Sequence, residues 1–227
     1  SEKASKILIR DFGEIEKLQV SKKSQSDFVT NADLKIEKII IEELGKARPN
    51  FSFISEERGQ KKNKDTNNTW IIDPIDGTTN FLHGIPHFAI SIALLSFNEI
   101  VSGLIFDPIK DEIFFAEKNK GAFLNNQRIK VSKKKDINEC LFAIGDNFKK
   151  EADFMFRKSG CAALDLAYVA SGRYDGYYQK KLNLWDIAAG LLLVKEAGGI
   201  TNDINLNNPK NIKIIASNSN INQEFQK

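Results

Sequence analysis

Cysteine, histidine and methionine are scarce in this chain: two, two and one among 227 residues. Two thiols cannot build a disulfide framework. Cys140 and Cys161 stand in no Cys-x-x-Cys pattern, so they read as buried or half-buried thiols of a reducing compartment. No histidine or cation lies beside Cys161 in sequence to activate it, and packing is the expected role. His83 and His87 are four apart, but Pro86 breaks the helix that would align them on zinc, which leaves loop or strand-end positions. No segment approaches the length of a membrane-crossing helix, and the N-terminus lacks the apolar core of a signal peptide, so a cytoplasmic enzyme is the expectation. A dominant charge is missing too. The 33 Lys and Arg against 30 Asp and Glu leave +3, too little to argue for nucleic acid. The clusters Lys61-Lys62 and Lys133-Lys134-Lys135 read as solvated loop surface.

What is present is ample apolar material, 41% of the residues, enough for one large domain or two small, intimately packed ones. Ala4, Ile7, Leu8 and Phe12 open the chain in a helical pattern. Ile36, Ile39, Ile40, Leu44 and Ala47 mark a second helix that starts at Asn31-Ala-Asp33. His87 to Ser96 alternates as a long strand, and strands over 100–107, 112–118 and 121–131 continue it, broken at Pro108-Ile-Lys-Asp111, Asn119-Lys-Gly121 and Asn125-Asn126. This is an antiparallel meander. The second half offers a helix near 161–171, a strand near 175–179, a helix from Asp186 to Ala197 stopped by Gly198-Gly199, and a strand over 211–217. The sum is α+β, sheets sandwiched between helices, in a single domain over 1–227 with halves of about 1–135 and 136–227.

The chemistry concentrates in Trp70-Ile-Ile-Asp-Pro-Ile-Asp-Gly-Thr-Thr-Asn80. A short apolar strand, stopped by Pro74 and Gly77, places Asp73 and Asp76 at its end. Asp73-Pro-Ile-Asp-Gly77 also reads as an ordinary acidic turn. Further acids fall at similar places: Glu56 and Glu57 end the strand Phe51-Ser-Phe-Ile54, and Asp186 opens an apolar helix, where it reads first as an N-cap. Several carboxylates on fixed turns hold hard divalent cations and leave positions for water and phosphate oxygens.

With four ordered motifs, the chain resembles the inositol monophosphatase family of Mg²⁺-dependent, lithium-sensitive sugar phosphatases. The motifs are Asp27-Phe-Val-Thr-Asn-Ala-Asp33, Phe53-Ile-Ser-Glu-Glu57, Trp70 to Phe81, and Leu184-Trp-Asp-Ile-Ala-Ala-Gly190. Gly160-Cys-Ala-Ala-Leu-Asp-Leu-Ala-Tyr-Val-Ala-Ser-Gly-Arg-Tyr-Asp-Gly176 is a further family-like segment. The bacterial branch is the nearest, in which some members also regulate RNA synthesis. The resemblance implies a layered αβαβα fold, a homodimer, and two or three Mg²⁺ per site. It implies that Glu56, Asp73 and the carbonyl of Ile75 hold one cation, and that Asp73, Asp76 and Asp186 hold another. Glu56 and Thr78 would orient a metal-activated water for direct attack on phosphorus, with Asp33 accepting from the Thr78 hydroxyl. The amides of Gly77 and Thr78 would bind phosphate, and Asp76, Gly160, Cys161, Ala162, Gln179 and Asp186 would face the alcohol.

Two departures from the family bear on substrate. Gln179 stands where many relatives carry Glu, and the stretch from Gly145 to Lys158 is shorter than a full helix requires. By the same comparison part of the first helix precedes Ser1. The expected substrate is inositol 1-phosphate. The alternatives are a nucleotide, histidinol phosphate or fructose bisphosphate, or a regulatory role in binding transcription or ribosomal machinery.

Overall fold

The structure, a computed structural model, describes residues 2–14, 20–24, 27–145 and 155–225. Helix α1 (Glu2–Gly13) precedes an antiparallel pair, β1 (Val20–Ser24) and β2 (Asp27–Thr30), and α2 (Asn31–Ala47) follows. Next come β3 (Phe51–Ser55), β4 (Gly59–Lys61), β5 (Asp65–Asp76), the one-turn α3 (Thr78–Leu82), then β6 (Ala89–Ser96), β7 (Glu99–Asp107), β8 (Glu112–Glu117), β9 (Gly121–Leu124) and β10 (Gln127–Ile129). The second half holds β11 (Leu141–Ile144), β12 (Met155–Arg157), α4 (Ala162–Ala170), β13 (Gly176–Leu182), α5 (Leu184–Glu196), β14 (Ile200–Thr201), β15 (Ile212–Ser217) and α6 (Asn222–Phe225).

An eight-stranded sheet runs β10-β9-β8-β7-β6-β5-β3-β4, and a five-stranded one runs β12-β11-β13-β15-β14. The meander from β5 to β10 is antiparallel throughout, as the alternation and turns predict. Strand periodicity of two then sorts side chains between layers. Ile72, Ile90 and Phe106 pack with Ala4 and Leu8 of α1 and Ile36 and Ile40 of α2. Their neighbours Ile71, Ala89 and Ile105 pack with α4 and α5. On the smaller sheet Ala143, Tyr177 and Ile214 face that same helical layer, whereas Phe142, Tyr178 and Ile215 face Phe225 of α6. The order is helix, sheet, helix, sheet, helix.

Being covered on both faces, α4 and α5 are apolar nearly all round. Their packing is close: a Cβ on Gly103 would come within 2.9 Å of the Ala189 backbone, and one on Gly190 within 2.5 Å of Leu166.

Several expectations are corrected. The strand at Trp70 is not stopped by Pro74 but runs on to Asp76, because Pro74 falls in a register shift between Asp73 and Asp76, where no ladder hydrogen bond is asked of it. The strand predicted from His87 starts at Ala89. Ala47 ends α2 exposed, off the buried face of Ala32, Asp33, Ile36, Glu37 and Ile40. Lys134 is not simply solvated: its Nζ pairs with buried Asp175 at 3.0 Å. The expectation about the stretch from Gly145 to Lys158 falls mainly on 146–154, outside the described residues. Among the described residues no helix is long and apolar enough to cross a membrane, and Cys140 and Cys161 are free and buried.

Candidate active site

The register shift in β5 sets the site. Asp73 pairs with Ser91 and Asp76 with Ala89, so three steps along β5 match two along β6. In a regular strand, residues three apart point to opposite faces; the extra residue of the bulge restores parity and turns both carboxylates to the side of α4 and α5. Asp73 Oδ1 then accepts the Ile75 N–H at 3.0 Å, which fixes the turn. Gly77 follows at φ 93°, where a Cβ would lie 3.0 Å from the His87 carbonyl and 3.3 Å from Cys161 Cβ, so only glycine fits.

Three other elements converge on these two acids. β3 ends beside β5 in parallel, and the Glu56 N–H donates to the Ile72 carbonyl at 3.2 Å. Behind it, fully buried Glu37 of α2 accepts the Glu57 N–H at 2.9 Å and faces Arg58 Nε at 3.2 Å, bracing the Glu56-Glu57 turn. Asp33, one helical turn earlier on α2, is buried. Asp186 enters from α5. It is not the N-cap but the third helical residue: Asn183 caps the helix, and its N–H donates to Asp186 Oδ2 at 2.7 Å in a capping box.

The cleft these residues line is about 440 Å³ and also takes in Ile75, Thr78, Asn80, Gly145, Lys158, Ser159, Gly160, Ala162, Gln179, Lys181 and Asn183. It thus unites Glu56, Asp73, Ile75, Asp76, Gly77, Thr78, Gly160, Ala162, Gln179 and Asp186. Asp33 lies outside the lining but within electrostatic reach of Glu56 and Asp73. Cys161, buried, points its thiol at Asp76 (Sγ to Oδ2, 3.1 Å). The Thr78 hydroxyl donates to the Ile75 carbonyl at 2.9 Å; with its single proton given there, the expected donation to Asp33 is not made in this arrangement. A cleft of about 530 Å³ lies beyond Glu56, lined by Ile54, Leu95, Trp185 and Leu206 among others, and Glu56 is its only carboxylate.

The acids oppose one another's ionisation. Burial, then the charges of Asp186 and Asp33, push Glu56 up to about 9. Burial first, then Asp76, push Asp186 up to about 7. Asp76 reaches about 6 through burial, held back by hydrogen bonds from the Ala163 N–H (2.5 Å) and Cys161. Asp73 is driven well above the carboxylate range by burial and then by Glu56, Asp76 and Asp186. Burial is the largest influence on all four. Such a cluster resists full ionisation, and divalent cations would relieve the mutual repulsion of its charges. The donor set, hard oxygens in excess charge, fits Mg²⁺. Among the described residues no three such groups stand in ready coordination geometry.

Sequence reasoning missed a second ring of residues. Asn80 donates through Nδ2 to the carbonyls of Ser159 and His87, both at 2.8 Å, and so hangs the Gly160 turn from the β5 turn. Ser159 Oγ donates to buried Asp165 at 2.7 Å and accepts the Cys161 N–H at 3.2 Å. Asn80 lies inside the longest motif and could have been singled out; Ser159, Lys158 and Lys181 carry no local signal.

The chain and its fold have counterparts among known proteins. The model of the inositol monophosphatase family matches residues 1–226. An inositol-1-monophosphatase of Rhizobium meliloti is 48% identical over 216 residues, 88% of this chain and 81% of that protein. A Nus factor SuhB of Pasteurella multocida is 40% identical over 220 residues, 89% of this chain and 82% of that protein. The crystal structure of the extragenic suppressor protein suhB from Bartonella henselae superposes with a TM-score of 0.91 at 45% identity, covering 99% of this chain and 93% of that one. A bulged acidic strand, a braced Glu turn and an Asp-bearing helix thus meet in the layered α+β fold of known phosphatases, and the chain belongs to the inositol monophosphatase family of phosphoric monoester hydrolases.

Proposed function

We propose that the chain hydrolyses a phosphate monoester of a polyol or sugar, inositol 1-phosphate first among them, with Mg²⁺ as cofactor. The observation that carries this reading is the set of four carboxylates, Glu56, Asp73, Asp76 and Asp186, turned into one cleft, where burial and one another's charge oppose their ionisation. Glu56, Asp73, Asp76, Asp186 and the Ile75 carbonyl would hold Mg²⁺, which when bound supplies Lewis-acid neutralisation of phosphate charge and acidifies water. The chain's own groups do the rest. The Gly77 and Thr78 amides bind phosphate oxygens, and Glu56 and Thr78 Oγ1 orient a water in line with the ester bond. That water forms the new P–O bond, the ester P–O bond breaks, and the alcohol leaves with a proton. The Gly160–Ala162 turn and Gln179 hold the alcohol. Asp33 acts on Glu56 and Asp73 through its charge.

Phosphate release from inositol 1-phosphate, dependent on Mg²⁺ and blocked by Li⁺, is the expected result. Asp73→Asn abolishes it while the chain still folds. Near-normal turnover by Asp73→Asn, or no release from any sugar phosphate, would sink the assignment.

The relatives named Nus factor SuhB favour a second reading, a binding role in transcription. Co-purification with polymerase in stoichiometric amounts, unaffected by Asp73→Asn, is the result that supports it.

A further inference from the structure

The alcohol end of the cleft is dominated by donors and cations. On β13, the Gln179 carboxamide oxygen accepts from the hydroxyl of Tyr177 at 2.5 Å, and Tyr177 is fully buried. The Gln179 side chain lies flat on Gly145, where a Cβ would approach Oε1 to 1.9 Å. With its oxygen engaged, Gln179 offers a ligand its Nε2 hydrogens.

Lys181 reaches the same cleft by an unusual route. The β13–β15 ladder loses register between Gln179 and Leu182, and Lys181 in that interval has φ 59°, the left-handed region. A lysine held there is strained, and bulges beside active sites serve to re-aim a side chain. Lys181 lines the cleft with Gln179 and Asn183, Lys158 lines it as well, and Lys181 has no acidic partner among the described residues. Beyond the four carboxylates described above, no acid lines this cleft among the described residues.

We propose that this end of the cleft selects phosphate monoesters whose alcohol portion carries a second anionic group, a phosphate or a carboxylate, with Lys181 as the specificity-determining residue. The inference rests on the phosphatase reading above. A neutral polyol needs acceptors as well as donors, whereas a cation flanked by amide hydrogens suits an anion.

The test compares matched pairs in Mg²⁺: fructose 1,6-bisphosphate against fructose 1-phosphate for a second phosphate, and 3-phosphoglycerate against glycerol 3-phosphate for a carboxylate. The expected result is a kcat/KM ratio of roughly ten in at least one pair, which identifies the anion, expressed mainly in KM and shrinking with added salt. In Lys181→Met that ratio falls toward one; being a ratio within each variant, it cancels any general loss. Ratios near one in both pairs with the wild-type chain, or a ratio that survives Lys181→Met, overturn the inference and leave the phosphatase reading standing. No release from any of the four while inositol 1-phosphate is hydrolysed overturns the inference alone; no release from inositol 1-phosphate either overturns both.

Discussion

Replacing Asp186 by Asn should stabilise the metal-free protein at pH 8 while harming its chemistry. Asp186 sits at about 7 in the fold against an ordinary 3.8, so at ~1.4 kcal/mol per pH unit its ionisation within the cluster costs roughly 4 kcal/mol. The sign follows from proton counts. Between pH 4 and 7 the folded state keeps a proton that the unfolded chain has lost, so the stability of the metal-free protein falls as pH rises across that window. Glu56 extends the fall to about 9. Asn removes the Asp186 part and keeps an acceptor for the Asn183 N–H. For a chain of this length roughly 4 kcal/mol corresponds to a Tm gain of about 8–16 °C. Excess Mg²⁺ narrows the difference, since at a hundredfold over Kd it stabilises the wild type by ~2.7 kcal/mol per site and the variant by less. Calorimetry of both chains between pH 5 and 9, in chelator and in Mg²⁺, is the assay. A metal-free wild type that gains stability from pH 5 to 8, or an Asp186→Asn chain that melts no higher at pH 8, would refute the reasoning.

Three other outcomes follow from the same geometry. Cys161→Val removes the thiol that faces Asp76, so the Mg²⁺ concentration for half-maximal activity should rise about 3–10-fold at a cost of ~1 kcal/mol, and Cys161→Ser should restore it; equal values for Val and Ser would contradict this. Lys181→Gly relieves a left-handed lysine and should raise Tm by about 2–4 °C, for ~1 kcal/mol; an unchanged or lower Tm would argue against strain there. Gly77→Ala, forced to positive φ against the His87 carbonyl, should destabilise by roughly 1–3 kcal/mol in denaturant titration and lose turnover.

The fold was legible where local pattern and turn residues coincide. The meander was readable because Pro108 to Asp111 and Asn125-Asn126 punctuate it. The small residues Ala89, Ser91 and Ala93, however, are not a solvent face. They are small because α5 lies close behind the sheet, a fact about a helix almost a hundred residues away. Strands β1, β2, β4, β11, β12 and β14 were missed, each no more than five residues long and therefore with little period of their own. The site's acids were legible from motif and resemblance, but their arrangement was not. Asn183-Leu-Trp-Asp186 carries the spacing of a capping box and could have displaced the N-cap assignment of Asp186. The bulge at Pro74 depends on what β6 offers across the ladder, and no reading of β5 alone reveals it. Lys181 likewise looks like any surface lysine until its φ is known.

The slip at Pro74 also governs how this motif could be moved to another scaffold. Counted along its own chain, Asp73 to Asp76 is an odd spacing; counted on the partner strand, Ser91 to Ala89, it is even. Only the second count travels. Grafted onto a regular ladder, the same four residues would bury one acid in the apolar layer of Ile72 and Ile90, and a host that trimmed one residue from the turn would keep both acids in view while losing the kink that brings the next amides round. A transplant therefore has to carry the opposing strand's register with it.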